Sequence, residues 1–298
     1  LAIVAASVFV VAPVMLRRIW RTTPLESGPV RDRLEALCNR IGLRFREILV
    51  WHGGGLMVNA AVMGVFRPVR YVLLSDALLS TMNQRQIEAV FGHEAGHIRH
   101  RHMQHFLVFA LVGWLIVAGI MELLARVSGT PGSNVELSLL TIEGIGVLAT
   151  VALWGIGFGW LSRRFERQAD LFAARCAAPE AGDCPLPCSV HPDPGPAAAS
   201  EGRVCATGAE VFASALVRVA ALNGIPAEER SWRHSSIASR VRFLASLAGD
   251  PQRVESFERL IRRVNLVLLV LGGIGLIACV YYWITVPEPA ILQLQINR

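Results

Sequence analysis

Four stretches of the chain stay apolar for longer than the core face of a globular helix requires: residues 1–16, 106–125, 138–161 and 264–286. A helix needs about 20 such residues to cross a hydrocarbon layer roughly 30 Å thick, so the last three predict membrane spans. The first is short, opens at Leu1 and lacks a basic leader, so it reads as the remnant of a truncated span in a fragment or processed form of a longer chain. Between these stretches the period changes. Residues 22–50 carry a helical spacing marked by Leu34, Leu37, Ile41 and Leu43. Two β-rich runs follow, 56–64 and 69–76, joined by a short Phe-Arg-Pro turn, and they predict a hairpin. Asn83, with Gln86 three residues on and an apolar stripe at Ile87, Val90 and Phe91, predicts a capped helix start. Residues 162–174 read as a further helix, and 177–208 as a Pro/Ala/Gly-rich surface insertion.

Composition supports the membrane reading. The hydrophobic share is 53%, charged residues make up 17%, and the mean hydropathy is +0.46, which excludes an ordinary soluble domain. The formal charge is +6 and all 29 basic residues are arginine. These gather at the ends of apolar segments: Arg17, Arg18 and Arg21 after the first, Arg99 and Arg101 before the second, Arg163, Arg164 and Arg167 after the third, and Arg259, Arg262 and Arg263 before the fourth. The connection 127–137 has none. Membrane topology therefore explains the basic balance, and nucleic acid is not an expected partner. By the positive-inside rule, the segment around residues 83–105 and everything from 162 to 263 face the cytoplasm. Tyr281, Tyr282 and Trp283 fit an outer aromatic belt. Glu122 and Glu143 read as interfacial, and Gly155 with Gly159 as a close helix-packing pair.

The segment FGHEAGHIRH, residues 91–100, carries the chemistry. His93 and His97 are four apart, one turn above each other on a helix, where two imidazoles can reach one Zn²⁺. Glu94 is placed to act as general base on a water beside that metal. His100, His102 and His105 are taken as solvated or interfacial. A catalytic zinc needs a third protein ligand. In SRRFERQADLFAA, Glu166 and Asp170 form another i, i+4 pair, with Glu166 a candidate ligand and Asp170 a candidate support for a ligating histidine. Taken alone, Glu166 reads better as a partner for its neighbouring arginines on a charged membrane-exit helix. The insertion holds Cys184, Cys188, His191 and Cys205, close to Cys176. Unpaired thiols, a second metal and disulfides all remain open for it.

Four features in order resemble the membrane zinc metallopeptidase family that includes HtpX-type proteases and CAAX prenyl proteases. They are an Asn-Ala strand with a following Gly (Asn59, Ala60, Gly64), the H-E-x-x-H helix, E-x-x-x-D as ERQAD beyond two spans, and H-x5-R at His234 and Arg240. Ser235 stands where the family usually has Pro, and neither the Cys-rich insertion nor the last span is a general family feature. The resemblance covers roughly residues 30–245 and implies one Zn²⁺ held by His93, His97 and Glu166. It further implies His234 as a donor to the reaction's oxyanion, Arg240 as a support for that segment or a carboxylate, and Asn59 as a contact for the substrate backbone. The expected fold is a mainly α integral membrane protein of about four transmembrane helices, with a cytoplasmic α+β zincin-like domain carrying a small hairpin or sheet. Its expected segments are 1–21 (membrane), 22–105 (first part of the catalytic domain), 106–161 (two spans), 162–263 (second part) and 264–298 (last span and tail). The expected activity is endoproteolysis of membrane or misfolded polypeptides in a bacterial inner membrane. A zinc-binding protein without turnover, a narrow-specificity precursor protease and a scaffold acting through the Cys-rich loop are the alternatives. Substrate identity and oligomeric state are not legible.

Overall fold

The computed structural model describes residues 15–55, 57–64, 67–128, 138–178, 184, 188, 190–191 and 202–285. Most of the expected first span, the whole 129–137 connection, most of the 177–208 insertion and the 286–298 tail lie outside them, as do the side chains of Tyr282 and Trp283. The elements in order are β1 (Thr22–Pro24), α1 (Pro29–Ile41), β2 (Glu47–Trp51), β3 (Ala60–Met63), β4 (Tyr71–Ser75), α2 (Asp76–Thr81), α3 (Gln84–Arg99) and α4 (His102–Ser128). Then come α5 (Leu139–Ala152), a π-helical turn (Leu153–Phe158), α6 (Gly159–Cys176), α7 (Ala206–Leu222), α8 (Ile237–Leu247) and α9 (Pro251–Thr285).

The expected hairpin is present: β3 and β4 are antiparallel, from Ala60 opposite Leu74 to Met63 opposite Tyr71. It belongs to a larger sheet, in the order β1-β2-β4-β3 with β2 parallel to β4. The helical reading of 22–50 thus needs correction, because only Pro29–Ile41 is helical. Pro29 sits at the helix start, where its missing N–H costs nothing, and Gly42 ends the helix in the left-handed region at φ 66°. Beyond it, EILVW is a strand whose β-branched Ile48 and Val50, two residues apart, share one face. Leu34, Ile48, Leu74, Leu78, Ile87, Phe91, Phe165, Phe212 and Leu244 form the buried interior of this part.

Two compact units emerge. One contains the described residues up to Met103 together with Gly159–Arg259, and the other Gln104–Phe158 with the described residues from Leu260 onward. Among the described residues, three helices are long and apolar enough to cross a membrane: His102–Ser128, Leu140–Cys176 and Pro251–Tyr281. Their surfaces carry exposed Leu148, Ile156, Leu266 and Ile277, an apolar extent that a water-facing protein does not present. Within the second unit, Phe106, Phe109, Trp154 and Phe158 cluster with ring centroids 4.9–6.0 Å apart. Gly155 and Gly159 do not form the expected packing pair. A Cβ on Gly155 would meet nothing, while Gly159 is crowded by Trp232. The π-helical turn between them breaks the i, i+4 alignment that such a pair requires.

Candidate metal centre

Helix α3 starts as expected. The Asn83 side chain accepts from the Gln86 N–H at 2.9 Å, and the Gln86 side chain accepts from the Asn83 N–H at 3.3 Å, a reciprocal capping box. The helix then packs on α6 with almost no side-chain spacer. A Cβ on Gly92 would lie 2.9 Å from the Cys176 Cβ, and one on Gly96 would lie 3.1 Å from the Ala169 Cα. Each glycine immediately precedes a histidine of the motif. The backbones therefore approach where His93 and His97 must reach across to α6.

There they meet Glu166. The His93 and His97 Nε2 atoms are 3.3 Å apart, His93 Nε2 is 3.6 Å from Glu166 Oε2, and His97 Nε2 is 3.7 Å from Glu166 Oε1. Ligand atoms ~2.0–2.1 Å from a tetrahedral zinc are separated by roughly 3.4 Å, so the three donors have the spacing of one tetrahedral face. Charge agrees with geometry. Glu94, Glu166 and Asp170 are gathered around one guanidinium, that of Arg240, leaving two formal negative charges for a divalent cation to balance. The residues present fit a zinc ion, with His93, His97 and Glu166 as the groups that would hold it.

The surroundings fix which nitrogen of each histidine faces that point. His93 Nδ1 is 3.0 Å from Asp170 Oδ1, so its N–H donates there and Nε2 keeps a lone pair. Asp170 is fully buried and also accepts two hydrogen bonds from Arg240, from Nε at 2.9 Å and from a second guanidinium nitrogen. On the other face of His93, the Phe212 ring of α7 stacks at 5.7 Å. His97 is oriented by a residue that the sequence reading left in solvent. His102 is buried, lies flat on Phe165 with centroids 4.3 Å apart, and places Nδ1 2.8 Å from His97 Nδ1. Its Nε2 is 2.9 Å from Gln168 Oε1, and Gln168 Nε2 is 3.2 Å from His100 Nδ1. Because Gln168 Oε1 only accepts, His102 must donate from Nε2 and accept at Nδ1, which obliges His97 to donate from Nδ1. His97 Nε2 is thereby left as a lone pair toward Glu166. His100 and His102 are thus parts of the support for the site; His102, five residues from His97, carried no helical-face signal.

The titrations follow the same layout. Burial, with the charge of His93 beside it, brings His97 down to about 4, so this imidazole is neutral. Burial also lowers His93, but hydrogen bonds to Asp170 and Glu166 outweigh it and hold the ring near 9. The carboxylates thus draw a positive charge to this point, where a metal ion would compete with a proton. Burial pushes the Glu94 carboxyl up to about 7, against opposing contributions from His93, Arg240 and a backbone hydrogen bond from Val62 in β3. Arg240 stays above its ordinary value because Asp170 and Glu166 offset the cost of burying it.

The remaining expected residues fall into two groups. His234 reaches the centre: its Nδ1 is 3.1 Å from Glu166 Oε2 and its side chain is 47% exposed. It precedes α8, whose first turn is capped by Ser236, and Arg240 follows from the same helix. Asn59 does not join the ligands. Its side chain is exposed, while its main chain exchanges hydrogen bonds with Ser75 at 3.0 Å.

The chain is similar to a CAAX prenyl protease 1 homolog of Arabidopsis thaliana, 27% identical over 172 residues that cover 55% of this chain and 40% of the relative. It is also similar to a protease HtpX homolog of Bordetella pertussis, 32% identical over 155 residues that cover 48% of this chain and 49% of the relative. The matches span about half or less of these relatives' lengths. Among solved structures, S. mikatae Ste24p shares the fold with a TM-score of 0.56 at 19% identity, over 81% of this chain and 55% of that one. The peptidase family M48 description matches residues 24–228, a span that contains His93, Glu94, His97, Glu166 and Asp170, and the chain belongs to that family.

Proposed function

We propose that the chain is a zinc-dependent membrane endopeptidase whose catalytic residues are His93, Glu94, His97, Glu166 and His234, facing the cytoplasm. The observation that carries this reading is the tetrahedral spacing of His93, His97 and Glu166, with a half-buried carboxylate, Glu94, on the helix of the two histidines and adjoining strand β3. Zinc, when bound, supplies a Lewis acid and brings a water's pKa toward neutrality. Glu94, raised by burial, accepts the proton of the attacking water and returns it to the leaving amine. His234, whose imidazole is half exposed beside Glu166, donates to the carbonyl oxygen as it gains charge. Arg240 and Asp170 hold Glu166 and His93 in place. Strand β3 ends the sheet, and among the described residues no strand pairs with its outer edge. An extended substrate adding to that edge would pair by main-chain hydrogen bonds, with Asn59 at its end, and so with little demand on sequence. That favours hydrolysis of unfolded or membrane-derived polypeptides over a single precursor.

The test is cleavage of an unfolded polypeptide by the detergent-purified protein beside Glu94→Gln, with zinc measured on both. The expected result is equal zinc and a rate about 10²–10⁴-fold lower in the variant. Wild-type cleavage by Glu94→Gln would refute the assignment of the base.

A further inference from the structure

Far along the chain from the H-E-x-x-H helix, three thiols and an imidazole converge. Cys184 Sγ is 3.5 Å from Cys205 Sγ, Cys188 Sγ is 3.7 Å from Cys205 Sγ, and Cys188 Sγ is 3.6 Å from His191 Nδ1. All four donor atoms lie within 4.8 Å of one another. Cys184, Cys205 and His191 are buried, and all six cysteines of the chain are unpaired. Sulfurs ~2.3 Å from a tetrahedral zinc lie about 3.8 Å apart, and a sulfur and a nitrogen about 3.6 Å apart. Three of its six edges have those lengths, and the other three stay within 4.8 Å.

Two further features prepare the sulfurs for a cation. The backbone N–H groups of Val190 and His191 both donate to Cys188 Sγ, an arrangement that suits a thiolate better than a thiol. Cys205 occupies the N-cap of the 17-residue helix α7, where the unpaired N–H groups and the helix dipole favour a negative sulfur. Val190 closes the cluster on its apolar side, with Ala178 packed against it.

We infer that Cys184, Cys188, His191 and Cys205 form a second, structural zinc site that ties the insertion to the start of α7. With four protein ligands it is closed, leaving no open position for a substrate or water, as a structural rather than a catalytic site requires. Its consequence reaches the first centre through α7. Phe212, two turns beyond Cys205, is the ring stacked on His93, and a Cβ on Gly208 would lie 2.3 Å from the Ala174 carbonyl oxygen of α6. A clamp on the N-terminus of α7 therefore holds a helix that seats directly against the ligand-bearing elements.

The experiment uses the full chain purified in detergent under reducing conditions, with zinc measured by elemental analysis and the protein reloaded with Co²⁺. Wild type is expected to hold ~2 zinc ions per chain, and Cys188→Ser and Glu166→Ala ~1 each, lost from different sites. Co²⁺ is expected to give sulfur-to-metal charge-transfer absorption in wild type and in Glu166→Ala but not in Cys188→Ser, since His93, His97 and Glu166 offer no sulfur. His191→Cys keeps four ligands and is expected to retain both ions with a stronger thiolate absorption, which guards against a Cys188→Ser chain that fails to fold. Absence of the sulfur absorption from the wild-type protein would overturn the assignment. So would a Cys184–Cys205 disulfide in peptide mapping of protein kept reducing throughout. Failure of the peptidase reading would leave this signature untouched.

Discussion

Asp170→Asn is the substitution that most directly tests how the first centre is held. The carboxylate is fully buried and serves two donors at once, His93 Nδ1–H at 3.0 Å and the Arg240 guanidinium, whose Nε lies at 2.9 Å. Asparagine has the same shape but one acceptor oxygen. With that oxygen toward His93, its NH₂ faces the guanidinium. Turned the other way, the NH₂ faces the imidazole N–H. Either arrangement puts donor against donor in the interior. Losing the partner that orients a ligating histidine lowers metal affinity by about 10–100-fold. Leaving a buried guanidinium with half its pair costs about 3–5 kcal/mol, which Glu166, 3.9 Å from Arg240 Nη1, offsets only in part. The assays are zinc affinity by chelator competition and stability by denaturant unfolding, both in detergent. The two losses separate in the double variant Asp170→Asn/Arg240→Met, which removes the orphaned charge. It is expected to regain stability over the single variant while its zinc affinity stays low. Undiminished zinc affinity in Asp170→Asn would refute the claim that this carboxylate fixes the His93 tautomer.

Three further substitutions address the neighbouring parts. His234→Phe is expected to lower kcat about 10²–10³-fold with zinc retained and KM little changed, since the lost donor acts on developing charge; an unaltered kcat would remove His234 from the mechanism. His102→Phe keeps the stack on Phe165 but leaves His97 Nδ1–H and Gln168 Oε1 without their partner, and zinc affinity is expected to fall about 10-fold in the same chelator assay. Gly96→Ala introduces a Cβ 3.1 Å from the Ala169 Cα, and is expected to cost ~1–3 kcal/mol in denaturant unfolding as α3 and α6 are pushed apart.

The sequence carried the parts of this fold that depend on local pattern. The capping box of Asn83 and Gln86, the β3–β4 pairing and the long apolar helices each follow from spacing over a few residues, and each is present. What it did not carry depends on partners distant along the chain. Strands β1 and β2 were absorbed into a helical reading because β2 earns its conformation by pairing in parallel with β4, more than 20 residues on. His102 looked solvated for a similar reason, since its burial is supplied by Phe165 and Gln168, which lie on another helix. The four-residue spacing of His93 and His97 was legible, whereas Phe212 gave no signal at all: an aromatic on an apolar helix face reads as core.

The glycines of FGHEAGH explain why a motif on one helix becomes a centre shared with another. On a helix, residues one apart are turned by about 100°. Gly92 and Gly96 thus share the face that meets Ala169 and the Cys176 Cβ, His93 and His97 share the next face, and Glu94 a third. Without side chains at 92 and 96, α6 comes close enough for Glu166, a short ligand, to stand 3.6 Å and 3.7 Å from the two imidazoles. The rotation that aims the histidines at α6 carries Glu94 toward β3, where the Val62 N–H meets it. In the proposed reading, a polypeptide paired along β3 is therefore delivered to the base and the metal ligands together. One helix turn, with glycine preceding each histidine, sets the spacing of the three side chains and, in that reading, the side from which substrate arrives.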